Sequence, residues 1–206
     1  MTPRSRVSPY SPGSLDSDAK AERTAREFAD LVATAVNGTV SAAPIRFVRT
    51  DREDFEGFIA HVVDKLPAPM PLANGHYLYI IQRLGLRRAE RYLTTLEYGY
   101  WYQAQSPEDS WIFRYEYQRE PELPFRYPRC HVHVNAAPMS YNGAKDFPRL
   151  HLPAGDRVTV ESVLRHLIEE HDVPSLSPNW EEILNGTEAA FRAIQSKRIL
   201  DPADSN

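Results

Sequence analysis

Apolar residues recur along this chain with two different periods, and the change from one to the other outlines a fold. Phe28, Leu31, Val32 and Ala35 stand three and four residues apart, the spacing of one face of a helix, and Asn37 and Gly38 follow as residues that end one. Residues 45–50 read as a short strand. Asp51 then offers an N-cap, with Glu53 and Asp54 where a helix dipole favours acids, and Phe55, Phe58, Ile59, Val62, Val63 and Leu66 form a stripe predicting a second helix. Pro67, Pro69 and Pro71 stop it and hold an extended linker.

From Gly75 the period falls to two. Tyr77, Tyr79 and Ile81 alternate with Leu78 and Ile80, which predicts a strand covered on both faces. Residues 90–105 predict a longer strand, with Tyr92, Thr94, Leu96, Tyr98, Tyr100 and Tyr102 on one side, Leu93, Thr95, Glu97 and Trp101 on the other, and a bulge or bend at Gly99. After a turn at residues 106–109, Trp111, Phe113, Tyr115 and Tyr117 alternate with Ile112, Arg114 and Glu116, so two aromatic strands form a hairpin. Cys130, Val132 and Val134 alternate with His131, His133 and Asn135 in a further strand, and residues 149–152 predict a short one after a loop. Thr159 can cap a third helix carrying Val160, Val163, Leu164, Leu167 and Ile168, closed by Pro174. A fourth helix starts near Pro178 or Asn179, and Asn185-Gly186 is a point where it could split.

Strands gathered in the middle with helices at the N- and C-terminal ends predict the α+β class, built on an antiparallel, aromatic-rich sheet. With 206 residues the chain can bury roughly 70% of its unfolded surface in one core. Residues 1–18, with Pro3, Pro9, Pro12, Gly13 and five serines, gain too little from burial to offset ordering and are expected to form a disordered arm. Residues 19–200 are expected to form a single domain and residues 201–206 a frayed tail.

Composition narrows the function classes. The formal net charge of −4 argues against a dedicated duplex-DNA binder, which needs a large basic footprint. No apolar run approaches the roughly 20 residues that cross a bilayer, and no secretory leader is recognised, so no membrane association and a cytoplasmic location are expected. Cys130 is the only cysteine, which rules out an internal disulfide and a cysteine-rich zinc cage. Walker A, G-x-S-x-G, H-E-x-x-H, dinucleotide and paired C-x-x-C motifs are all missing.

The candidate chemistry lies in the second half. His131 and His133 are two apart on a predicted strand and so project from one face. Arg149 and His151 share a face of another strand, and Arg114 and Glu116 occupy the matching phase of the aromatic hairpin. If these strands are neighbours, one sheet face gathers three imidazoles, two guanidinium groups and a carboxylate. Two chemistries suit such a face. One is phosphodiester cleavage that needs no cofactor, with His131, His133 and His151 as acid and base and Arg114 and Arg149 on phosphate. The other is a divalent metal held by His131, His133 and His151, with Glu116 or water as the fourth ligand. A non-enzymatic face that binds a ligand or docks a protein is the third reading.

The remaining signals have ordinary structural readings. His166 and His171 fit a helix C-terminus, His61 and His76 fit satisfied structural positions, and Cys130 falls on the apolar side of its strand as a core thiol. The tyrosine row fits sheet packing better than base stacking, and Arg83, Arg87, Arg88 and Arg91 fit a solvated turn.

Ile112-Phe113-Arg114-Tyr115, a proline-rich loop, a histidine strand, Phe147-Pro148-Arg149-Leu150-His151 and a helix from Thr159 follow one another over residues 111–170. This order resembles the TumE-like toxin family of bacterial toxin–antitoxin modules, through Phe113, Arg114, Phe147, Pro148 and His151. The chain differs from that family in its size, its helical N-terminal third and the added His131 and His133. The resemblance implies an antiparallel sheet with helices, an RNA-directed growth inhibitor and a small antitoxin-like protein partner.

Overall fold

The computed structural model describes residues 12–50, 55–87, 92–105, 111–120, 128–135, 150–154 and 157–195, with side chains except those of residues 12–17, 87, 150–153 and 195. It holds three helices, α1 (Pro12–Asn37), α2 (Val160–Glu170) and α3 (Trp180–Gln195). The main strands are β1 (Ile45–Thr50), β2 (Glu56–Val63), β5 (Tyr77–Arg87), β6 (Tyr92–Gln103), β7 (Trp111–Gln118), β8 (Cys130–Val134) and β9 (Leu150–Pro153). Two short strands, β3 (Leu66–Pro67) and β4 (Met70–Pro71), pair with β2 and β5. The sheet runs β1-β2-β5-β6-β7-β8-β9 with every pair antiparallel, so the α+β reading holds.

All three helices pack on one face of this sheet. Ala25, Phe28, Val32 and Val36 of α1, Val163, Leu164 and Leu167 of α2 and Leu184 of α3 share a buried cluster with Leu78, Ile80, Tyr98, Tyr100, Tyr102, Phe113, Tyr117 and Cys130 of the strands. Tyr98, Tyr100, Tyr102 and Tyr117 of the tyrosine row are therefore core, with Tyr98 stacked between Tyr100 and Tyr117 at centroid distances of 4.6 and 5.3 Å. Thr159 caps α2 as expected, its hydroxyl accepting from the Ser162 N–H. The opposite sheet face carries Glu97, Trp101, Arg114, Glu116, His131 and His133.

Three expectations change. The second helix is absent: residues 56–63 form β2, paired with β1 on one edge and β5 on the other. The spacing of Phe55, Phe58, Ile59 and Val62 fits a helical stripe, but Ile59, Val62 and Val63 are β-branched. Gly57 is also packed so that a Cβ would lie 2.3 Å from the Phe47 ring, which only a glycine strand position permits. Asp64 and Lys65, both at positive φ, turn β2 back into β3, and the expected N-cap Asp51 lies outside the described residues. Residues 12–18, expected in a disordered arm, are the first turns of α1; Pro12 suits a helix start, and the buried Asp18 accepts from Arg49 Nη2 at 3.0 Å. In β6 the predicted face breaks at Leu96, where the register to β5 slips and the buried positions switch from Leu93 and Thr95 to Tyr98, Tyr100 and Tyr102. The irregularity therefore lies before Gly99 rather than on it. The fourth predicted helix forms as α3 and runs unbroken through Asn185-Gly186.

Candidate functional site

The register of β7 and β8 builds the site. Arg114 pairs with His133 and Glu116 with His131, so these four residues form a two-by-two block on the face without helices. The i, i+2 spacing of each pair holds their side chains on that face. Glu116 Oε2 lies 2.8 Å from His133 Nε2 and 3.6 Å from His131 Nε2, and the two imidazole centroids are 4.7 Å apart. His131 Nδ1 lies 2.8 Å from the Pro128 carbonyl oxygen, which can only accept, so the ring donates there and its Nε2 is the lone-pair nitrogen of the neutral ring.

Charge and burial reinforce this arrangement. His131 and His133 are 8% and 4% exposed, on the backbone of strand β8 rather than in a loop. Burial pushes the Glu116 carboxyl upward, but the His133 hydrogen bond and the charges of Arg114, His133 and His131 outweigh it and hold the group below the usual carboxylate range. Glu116 is therefore an anion at neutral pH. Arg114 Nε lies 3.4 Å from Glu116 Oε1. Its guanidinium carbon sits 5.6 Å from the Trp101 ring centroid and 5.0 Å from that of Trp111, a bracket that fixes a long cationic side chain.

The block borders a cleft of about 340 Å³ whose walls include Glu97, Gly99, Trp101, Arg129, His131 and His133. That volume is at the small end of ligand sites. Trp101 stacks on Tyr79 at 4.7 Å, so the cleft wall is itself braced.

The structure thus brings together Arg114, Glu116, His131 and His133 from the sequence-predicted set. The backbone of β9 places His151 opposite His133 in register, making β7, β8 and β9 consecutive neighbours. Arg149 lies outside the described residues. Trp111 is a contributor that alternation hides. The register slips between Tyr102 and Gln103, which pair with Phe113 and Trp111, so a residue predicted on the core face packs its ring edge on His133 at 6.3 Å. The Pro128 carbonyl was equally illegible, because no sequence pattern marks which loop carbonyl will meet an imidazole.

The other histidines sit elsewhere. His61 Nδ1 donates to the Pro44 carbonyl at 2.9 Å, a satisfied structural position. His166 and His171, expected simply at a helix end, meet on the helix-covered side, with centroids 4.9 Å apart and both rings against Phe113. His171 also packs on Tyr102, whose hydroxyl meets His76 Nδ1. Cys130 lies in the core within 3.2 Å of the Tyr98 hydroxyl, as its strand phase predicts. Arg83 is committed to Glu97 and Glu56 at 2.9 and 3.2 Å, while Arg88 and Arg91 lie outside the described residues. Among the described residues no helix is long and apolar enough to cross a membrane. Comparison with protein-family models, with curated proteins and with solved structures finds no match for this chain.

Proposed function

We propose that this protein cleaves phosphodiester bonds in single-stranded RNA at the cleft formed by β6, β7 and β8. The observation that carries the reading is the convergence of Glu116, His131 and His133 beside a guanidinium that two indoles hold in place. Proton acceptor, proton donor and fixed positive charge are the three elements that cleavage by a 2′-hydroxyl requires.

In this reaction the 2′-hydroxyl gives its proton to the Glu116-His131-His133 cluster and its oxygen attacks phosphorus. The bond from phosphorus to the 5′-oxygen breaks, and that oxygen takes up a proton returned by the cluster. Arg114 offsets the charge that builds on the phosphoryl oxygens, and Arg129 at the cleft rim receives a flanking phosphate. A cleft of about 340 Å³ holds roughly one nucleotide. This favours a flexible strand over a duplex, whose 2′-hydroxyls and phosphates are fixed along a helix. The net charge of −4 agrees with a substrate held at a local site rather than along a broad basic surface. A toxin-like role, with a small protein partner that neutralises the enzyme, belongs to the same reading through the resemblance to the TumE-like family.

The test is cleavage of an unstructured RNA alongside the same sequence with 2′-O-methyl riboses. The wild type should cut only the unmodified strand and leave a cyclic phosphate. His133→Ala and Glu116→Gln, shown folded by circular dichroism, should lose about 10²- to 10⁴-fold in rate. Wild-type rates in both folded variants would overturn the assignment.

A further inference from the structure

We infer that Glu116, His131 and His133 form a divalent transition-metal site, and that Zn²⁺ is the ion it takes. The inference rests on the reading of this cleft as the reactive centre and specifies how that centre works.

One ligand atom from each of the three residues lies within 4.8 Å of both others, so all three address a single point. Ligands on one tetrahedral Zn²⁺, at about 2.0–2.2 Å from the ion, stand roughly 3.4 Å from each other. The 2.8 and 3.6 Å separations from Glu116 Oε2 to the two Nε2 atoms bracket that value.

A metal-binding imidazole characteristically donates its other N–H to a carbonyl or carboxylate, which fixes the tautomer and the ring plane. His131 does so, with Nδ1 on the Pro128 carbonyl and Nε2 on the Glu116 side.

The ligands come from two hydrogen-bonded strands in fixed register, and β9 sets His151 opposite His133 at the border of the same block. Two imidazoles and one carboxylate leave a tetrahedral ion one open position, the pattern of catalytic rather than structural zinc. With no thiolate in the set, the site suits ions that accept imidazole and carboxylate.

The open position would carry water, whose pKa a zinc ion lowers to about 7. The bound hydroxide accepts the 2′-hydroxyl proton and becomes water. The 2′-oxygen bonds to phosphorus, the bond to the 5′-oxygen breaks, and that oxygen takes a proton from the bound water, which restores the hydroxide. No proton is gained or lost overall, and Arg114 remains beside the phosphoryl group.

The experiment is a Zn²⁺ titration of the full chain after chelation, with bound metal counted by mass spectrometry and Co²⁺ substitution read by absorption. One ion per chain is expected, with the strong visible bands of a four-coordinate Co²⁺ site. Zn²⁺ should raise the Tm by roughly 5–10 °C, reversibly with EDTA. Glu116→Gln and His131→Ala should bind at least about 100-fold more weakly, whereas His166→Ala on the covered side should bind like the wild type. Absence of stoichiometric metal, or wild-type affinity in both folded site variants, would overturn the inference. If a variant fails to fold, X-ray absorption of the wild-type zinc protein decides: two imidazole nitrogens with oxygen support the site, and any other ligand set refutes it. Full RNA cleavage by metal-stripped protein would overturn the metal site and leave the nuclease reading standing. Stoichiometric zinc without RNA cleavage would do the reverse.

Discussion

The imidazoles of His131 and His133 on the open sheet face and those of His166 and His171 on the covered face are almost equally close, with centroids 4.7 and 4.9 Å apart. What surrounds them differs. On the open face both Nε2 atoms turn toward one carboxylate, a guanidinium lies alongside, and a cleft opens next to them. On the covered face the rings rest on Phe113 and Tyr102 beneath α2, and their contacts are ring against ring. Proximity of histidines is therefore a poor guide to chemistry. Convergence of their nitrogens on a shared charged point, next to space for a substrate, is the better criterion.

The contrast can be broken most forcefully from the covered side. Leu167 is fully buried and its carbonyl accepts from both His171 and Val173, so it anchors the end of α2. Leu167→Ala should cost about 2–5 kcal/mol in urea unfolding through lost burial and the cavity left behind. Below its new midpoint the variant should keep its RNA cleavage rate. A fall in rate proportional to the loss of stability would mean that the two faces are not separable.

A smaller effect is expected from the bracket around Arg114. Trp101→Ala removes one of the two rings flanking the guanidinium, an interaction worth about 0.5–2 kcal/mol. Cleavage should fall roughly 2- to 30-fold, with little change in Tm. An unchanged rate would show that Trp111 alone positions the arginine.

The subtlest prediction uses pH. Burial first, then the neighbouring His166 and His76, hold His171 below its ordinary value, against the opposing pull of Glu170 and Asp172. The unfolded chain, with a histidine value of about 6.5, therefore binds this proton more readily than the native state. The associated stability is complete above about pH 6.5 and is lost as pH falls through the lower folded value. His171→Phe keeps a ring against Tyr102 and Phe113 and should flatten the decline of Tm between pH 7 and 5. An identical slope in the variant would remove His171 from the account.

Much of the working face was legible beforehand because alternation in an extended chain is a two-state choice. Aromatic residues at 113, 115 and 117 force Arg114 and Glu116 to the other side, and valines at 132 and 134 do the same for His131 and His133. Antiparallel register then follows from matching the two apolar faces. The covered-face histidines were not legible, because Phe113 and His171 meet only through tertiary packing. Nor was β2. Its apolar spacing satisfies both periods over a few residues, and only its position between β1 and β5 decides between them. Slips at Leu96 and near Trp111 show a further limit, since one inserted residue reverses the facing of everything beyond it.

The separation of the two faces is tested most directly by histidine side-chain NMR during titration with a 2′-O-methyl RNA oligonucleotide, a substrate mimic that cannot react. The ring signals of His131 and His133 and the indole N–H of Trp101 should shift in a saturable manner, while those of His166 and His171 stay in place. Shifts confined to His166 and His171, or an absence of saturable shifts on the open face, would contradict the assignment of substrate to the β6-β7-β8 cleft.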